Sequence, residues 1–143
     1  GFERGVSVLA QVVGFDRELA GVIELARANG AFDDLVLRDR LARLRVELDV
    51  MRSQALRGLS TADDSGGASI FKLVWANWHR RLGEVAMDVA GASGLTARAP
   101  YDLDRWQRLF LFSRADTIYG GSDEVQRNIL AERVLGLPRE ARG

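Results

Sequence analysis

Between Leu37 and Leu59 the apolar residues recur at a spacing that only one kind of backbone can use. Leu37, Leu41, Leu44, Leu48, Met51, Ala55 and Leu59 are separated by alternating steps of three and four residues, with a final step of four. At 3.6 residues per turn this lays them along one face of a helix, whereas a strand of period two would scatter them over both faces. Arginines and acids fill the remaining positions, so the segment predicts an amphipathic helix with a core on one side only. Upstream, Val8, Val12, Phe15, Leu19, Val22 and Ala26 repeat the pattern, and Phe71, Trp75, Trp78, Leu82, Val85 and Val89 repeat it downstream. The third segment adds Ile70, Leu73 and Val74, a wider apolar arc that predicts a place near the centre of a bundle.

The breaks between these segments carry turn chemistry. "ANGAFDD" (Ala28 to Asp34) ends the first helix with a C-cap-type Asn–Gly and restarts with an Asp N-cap. "STADDSGGAS" (Ser60 to Ser69) reads as a loop, and "GASGLTARAPYD" (Gly91 to Asp102) as a Gly- and Pro-marked connector. A short helix is expected around Trp106 to Ser113, and a last helix that stops at "LGLPRE". Strand-type alternation appears nowhere. The chain of 143 residues therefore predicts one all-α domain, an antiparallel up-and-down bundle of three long and two shorter helices.

Composition removes several classes of function. Equal numbers of basic and acidic residues argue against a nucleic-acid or acidic-membrane binder acting through bulk charge. The absence of cysteine removes disulfides, thiolate nucleophiles and zinc–sulfur sites, and a lone His79 cannot build a histidine-rich metal site. No apolar run approaches the length of a membrane span, and no signal peptide opens the sequence. These features fit a cytoplasmic bacterial protein.

Individual candidates sort as follows. His79 lies off the main apolar stripe with no second histidine or acid cluster on its face, and is expected at the surface or boundary. Trp75 and Trp78, at helical spacing among apolar residues, are expected in the core rather than around a cofactor. Arg38, Arg40, Arg43, Arg45, Arg52 and Arg57 interleave with Asp39, Glu47 and Asp49, which favours a solvated face or oligomer contact over a phosphate ridge. "SGGAS" lacks the spacing and the Lys–Ser/Thr of a P-loop. In "TIYGGSDEVQRNIL" (Thr117 to Leu130), Gly120 and Gly121 permit positive φ and close backbone approach, and Ser122 is a natural N-cap. Asp123 and Glu124 suit the positive end of a helix dipole. Such a turn either caps a helix or also faces a ligand.

The letters of that stretch carry a resemblance. "TIYGGSDEVQRNILAERVLGLPR" (Thr117 to Arg139) closely resembles the C-terminal signature of the acyl-CoA dehydrogenase family. "ER" before the first helix, "ASIFKL" at the start of the third and "GASGL" in the connector extend the similarity over the whole chain. The resemblance implies a C-terminal helical domain, residues 1–143 being one piece of a longer three-part flavoenzyme, as the start at Gly1 suggests. It implies FAD as cofactor, an acyl-CoA substrate, an electron-transfer flavoprotein-type acceptor, and a homo- or hetero-oligomer, commonly a tetramer, built through the bundle. The piece alone is expected to be inactive.

The reaction so implied removes a proton from Cα of a thioester while hydride leaves Cβ for the flavin. It needs a carboxylate whose pKa is raised by desolvation. Many relatives carry that glutamate after the signature Tyr, where this chain has Gly120. The family's second location, in a Glu–Arg pair at the start of the first helix, is matched by Glu3 and Arg4, so the resemblance makes Glu3 the base, in isovaleryl-type placement. It places Arg4, Tyr119 and Gly120 against substrate, and Ser122, Glu124, Gly91 and Gly94 against the flavin. The family's pyrophosphate arginine corresponds to Arg27. Here Phe32 follows five residues later without a glycine after it, so that contact is expected to be displaced. An alternative is a non-catalytic subunit that keeps the bundle for assembly and lends flavin contacts to an active partner.

Overall fold

In a computed structural model of the chain, the described residues are 2–60 and 66–139, with side chains for 7–58 and 66–139. The helices are α1 (Phe2–Asn29), α2 (Leu35–Ser60), α3 (Gly67–Ala90), α4 (Arg105–Asp116) and α5 (Asp123–Ile129). A π turn over Leu130–Val134 continues α5, and 3-10 turns occupy Ala31–Asp33 and Gly91–Leu95. Lengths of 28, 26 and 24 residues against 12 and 7 reproduce the expected three long and two short helices.

Side-chain contacts fix the helix directions. Asn29 at the end of α1 donates to the Val89 carbonyl at the end of α3 at 2.7 Å, so α1 and α3 run the same way. Arg40, early in α2, pairs with Asp88, late in α3, at 2.6 Å, and Arg81 pairs with Glu47, so α2 runs opposite to both. Helix α4 returns along α3, close to it because Gly83 has no side chain. A Cβ there would stand 2.7 Å from the Ser113 hydroxyl and 3.0 Å from the Phe110 Cα.

The turn signals are realised. Asn29 closes α1, Gly30 takes φ of +83°, and the Asp34 carboxylate accepts from the Val36 and Leu37 N–H groups at 2.8 and 3.2 Å. Each such cap stabilises a helix start by about 1 kcal/mol. Asp104 caps α4 in a reciprocal capping box with Gln107. Gly136, at φ +66°, follows the end of the π turn. The expected loop over Ser60–Ser69 is shorter than read: α2 includes Ser60, and α3 already begins at Gly67, while residues 61–65 lie outside the described ones.

The three stripes meet in one core. Val12, Phe15, Leu19, Val22 and Ala26 pack with Leu41, Leu44, Leu48, Met51 and Ala55, and with Trp75, Trp78, Leu82, Val85 and Val89. Helix α3 touches α1, α2, α4 and α5, the central place its wide arc predicted. Part of that arc nevertheless faces outward, since Ile70 and Val74 are exposed. Gly83 faces α4 and admits it closely, and Ala76 and Ala86, at helical spacing from it, are fully buried. The two tryptophans are core, and Trp78 donates its indole N–H to the Leu44 carbonyl at 2.9 Å. The arginine series is in part a set of inter-helix staples: Arg40 reaches α3, and Arg45 reaches Asp16 of α1 at 2.5 Å.

Candidate functional site

The largest departure from the sequence expectation is His79, which is buried. Its Nδ1 lies 2.5 Å from an Asp116 oxygen and its Nε2 2.8 Å from a Glu18 oxygen, joining α4 and α1 through α3. Burial opposes a charged imidazole, but hydrogen bonds and charges from Asp116 and Glu18 outweigh it and raise the pKa to about 9. His79 is therefore an imidazolium at neutral pH, donating from both nitrogens. An open cleft of about 420 Å³ reaches this cluster, lined by Glu18, His79, Arg105, Arg108, Leu109 and Phe112. The expectation of a surface or boundary place rests on its neighbours in the chain, whereas its partners stand 61 and 37 residues away. The available signal was its place on the small-residue row Ala76, Gly83 and Ala86.

Asp116, at 1 % exposure, ends α4 and begins the glycine turn. Its second oxygen accepts from the Tyr119 hydroxyl at 2.7 Å, and its backbone carbonyl accepts from Lys72. Burial pushes the Tyr119 phenol up to about 12, with help from the hydrogen bond to Asp116. The Lys72 ammonium sits 4.7 Å from the Trp75 ring centre and 5.1 Å from that of Tyr119, and burial lowers its pKa against the attraction of Asp116 and Asp123.

Gly120 and Gly121 take φ of +68° and +96°, left-handed conformations that favour glycine. A Cβ on Gly121 would stand 2.6 Å from the Gln126 amide nitrogen, which donates to the Gly120 carbonyl at 2.9 Å and closes the turn. Beside Gly120 there is room, the nearest atom to an added Cβ being Lys72 Cε at 3.5 Å. Ser122 caps α5 by accepting from the Val125 N–H, and Asn77 holds Asp123 at 2.7 Å. The exposed Glu124 carboxylate is held below its ordinary range by its own backbone N–H and the Ser122 hydroxyl. The structure thus gathers Tyr119, Gly120, Ser122 and Glu124 at one end of the bundle.

Gly91, Gly94 and Arg27 lie at the opposite end. Gly91 closes α3 at φ +59°, with nothing within 4 Å of an added Cβ, so its backbone is open to approach. Gly94 is buried against Met87, and its carbonyl accepts from Gln107 at 2.9 Å. Arg27 is exposed, its guanidinium 5.2 Å from the Phe32 ring centre. Glu3 and Arg4 belong to the first turn of α1, at the end where α3 also begins; their side chains lie outside the described residues.

Residues 1–135 match the family profile described as the acyl-CoA dehydrogenase C-terminal domain. The chain belongs to the acyl-CoA dehydrogenase family. The acyl-CoA dehydrogenases IpdE1 of Mycolicibacterium smegmatis and Mycobacterium tuberculosis are each 56 % identical to it, over 142 and 144 residues. Both alignments cover 99 % of this chain but only 36 % and 37 % of those relatives. Among solved structures, the Tcur3481–Tcur3483 steroid ACAD aligns at a TM-score of 0.79 with 22 % identity, over 96 % of this chain and 38 % of that one. The ChsE4–ChsE5 complex from Mycobacterium tuberculosis aligns at 0.70 with 21 % identity, over 87 % and 36 %. At those identities the likeness is one of fold. No helix among the described residues is long and apolar enough to cross a membrane.

Proposed function

We propose that these residues form the C-terminal bundle of a three-part, FAD-dependent acyl-CoA dehydrogenase, which removes hydrogen from Cα and Cβ of an acyl-CoA thioester. The observation that carries the reading is the glycine turn. Gly120 offers open backbone and side-chain-free space at the end of the bundle where α1 also begins. A base is required beside that space, and Glu3 on the first turn of α1 is the carboxylate assigned to it. In this role Glu3 takes the α proton, Arg4 and Tyr119 line the substrate, and Gly120 leaves room for it.

Bound FAD would supply the acceptor for the hydride leaving Cβ. The residues that would hold it fit in two groups: Arg27, Gly91 and Gly94 at one end, Ser122 and Glu124 at the other. Gly91 presents open backbone, and Ser122 caps α5 beside the exposed Glu124. Residues 72 and 91 mark these ends on α3 and lie about 28 Å apart at 1.5 Å per residue. One dinucleotide cannot touch both groups of a single bundle, so each flavin would draw on two subunits. The exposed Val46 and Val50, one turn apart on α2, suit such an oligomer. Reoxidation is assigned to an electron-transfer flavoprotein-type acceptor.

A second reading makes the chain a non-catalytic partner in a hetero-oligomer. Two observations favour it: the absent side chain at Gly120, and Arg27, which stacks on Phe32 instead of extending freely. One experiment separates the readings. The full-length protein is purified, its flavin spectrum recorded, and an acyl-CoA added anaerobically. Bleaching that disappears in Glu3→Gln supports the dehydrogenase with Glu3 as base. Bleaching that survives sinks that assignment, and a colourless protein supports the assembly reading. The isolated bundle is expected to be helical, colourless and inactive.

A further inference from the structure

The buried charged cluster of α1, α3 and α4 ends on Tyr119, and the direction of its hydrogen bonds follows from what each group can donate. The Asp116 carboxylate lies between the His79 imidazole and the Tyr119 hydroxyl, and a carboxylate can only accept. One oxygen takes the His79 Nδ1–H at 2.5 Å and the other takes the Tyr119 O–H at 2.7 Å. A phenol has a single proton. With that proton directed into the bundle, the outward side of the Tyr119 oxygen presents lone pairs alone. Three neighbours surround the ring. Lys72 lies 5.1 Å from its centre, Phe112 6.4 Å and Trp75 6.5 Å. Tyr119 is nonetheless 49 % exposed, so the residue is open to a ligand.

A buried ion pair is a poor way to gain stability, since well-packed apolar residues serve as well or better. What it gives here that two leucines could not is a fixed direction for the phenol. We propose that His79 and Asp116 are positioning residues that make Tyr119 a hydrogen-bond acceptor toward the ligand at the glycine turn. The ligand group recognised by Tyr119 is then a donor, a hydroxyl or an amide N–H, and not the carbonyl of a thioester. This rests on the dehydrogenase reading for the ligand, although the direction of the Tyr119 proton does not. FAD carries such donors as ribityl hydroxyls, and CoA carries them as pantetheine amides.

The test uses the full-length protein in two arms. In the first, tyrosine is labelled at 13Cζ, and the Tyr119 resonance is identified by its loss in Tyr119→Phe. Tyr119 is expected to titrate above the ordinary phenol range, and to fall part of the way back in His79→Leu/Asp116→Leu, which removes the hydrogen bond and charge of Asp116 but not the desolvation, and whose helicity is checked by circular dichroism. Ordinary titration of Tyr119 in the unaltered protein overturns the proposal. In the second arm, the dissociation constants of FAD, CoA and butyryl-CoA are compared with those of Tyr119→Phe. Loss of one neutral hydrogen bond weakens binding by about fivefold. Weakened FAD alone names a ribityl hydroxyl as the donor, and equal weakening of CoA and butyryl-CoA names a pantetheine amide. A loss selective for butyryl-CoA means that Tyr119 donates to the carbonyl and overturns the inference, as does no change in any ligand. If the unaltered protein binds neither FAD nor CoA, the dehydrogenase reading fails and takes the ligand assignment with it, while the titration still decides the orientation.

Discussion

Raising the pH should loosen this bundle through one side chain. His79 has a pKa of about 9 in the folded chain against 6.5 for an ordinary histidine. A group whose folded pKa is raised stabilises the fold fully below its unfolded pKa and loses that contribution as pH rises through the folded one. At 1.36 kcal/mol per pKa unit, the shift corresponds to about 3 kcal/mol, present at pH 6 and gone by pH 10. That is a large share of the 5–15 kcal/mol typical of a domain. The comparison is with His79→Leu/Asp116→Leu, which removes the titrating pair without leaving an unpaired buried carboxylate. Urea unfolding of both proteins is followed by far-UV circular dichroism at half-unit intervals from pH 6 to pH 10. The stability of the unaltered chain relative to the variant should fall by about 3 kcal/mol, most steeply between pH 7 and 9. A difference that stays flat over this range would show that His79 is neutral in the fold, and the account of the cluster would be wrong.

Three further outcomes follow from the packing. Trp78→Ala removes a fully buried ring and leaves the Leu44 carbonyl without its donor, so it should cost about 3–5 kcal/mol in chemical denaturation. Gly83→Ala should destabilise by about 1–2 kcal/mol in the same assay, because its Cβ meets the Phe110 backbone and the Ser113 hydroxyl. An equal or higher stability would mean that α3 and α4 are not in close contact there. Gln107→Ala removes the side chain that holds both Gly94 and Thr96, and should speed amide hydrogen exchange across Gly91–Leu95 by about tenfold, the effect of roughly 1.4 kcal/mol.

Periodic features could be read from the sequence, and features that join distant segments could not. The stripes of α1, α2 and α3 repeat every three to four residues, so a short window already contains the physics that buries them. Caps behave likewise: the Asp34 and Ser122 side chains bond to backbone two or three residues on. His79 is the opposite case, because nothing near it in sequence distinguishes a surface histidine from one clasped by Glu18 and Asp116. The arginines of α2 failed in the same way, their acidic neighbours in sequence masking the partners that Arg40 and Arg45 find on α3 and α1. Of the candidate site, the glycine turn was evident from its own residues. Its tether to the bundle through Asp116 and Lys72 needed the fold.

That tether bears on whether a carboxylate could simply be returned to the turn. Gly120→Glu would place a Cβ 3.5 Å from Lys72 Cε, an ordinary contact, so sterics permit it. Its φ of +68° would cost about 1–2 kcal/mol in a residue with a side chain. Chemistry is the greater obstacle. A general base here must have its pKa raised, and a glutamate beside the Lys72 ammonium would have it lowered. In a Glu3→Gln background, Gly120→Glu alone should therefore restore little anaerobic flavin bleaching. Adding Lys72→Met keeps the apolar stem over Trp75 and Tyr119 while removing the charge, and should raise the bleaching rate by at least about tenfold, for one unit or more of recovered basicity. A rate that Lys72→Met leaves unchanged would mean that the charge behind the turn does not govern the base, and that Gly120 and Lys72 are independent features of this end of the bundle.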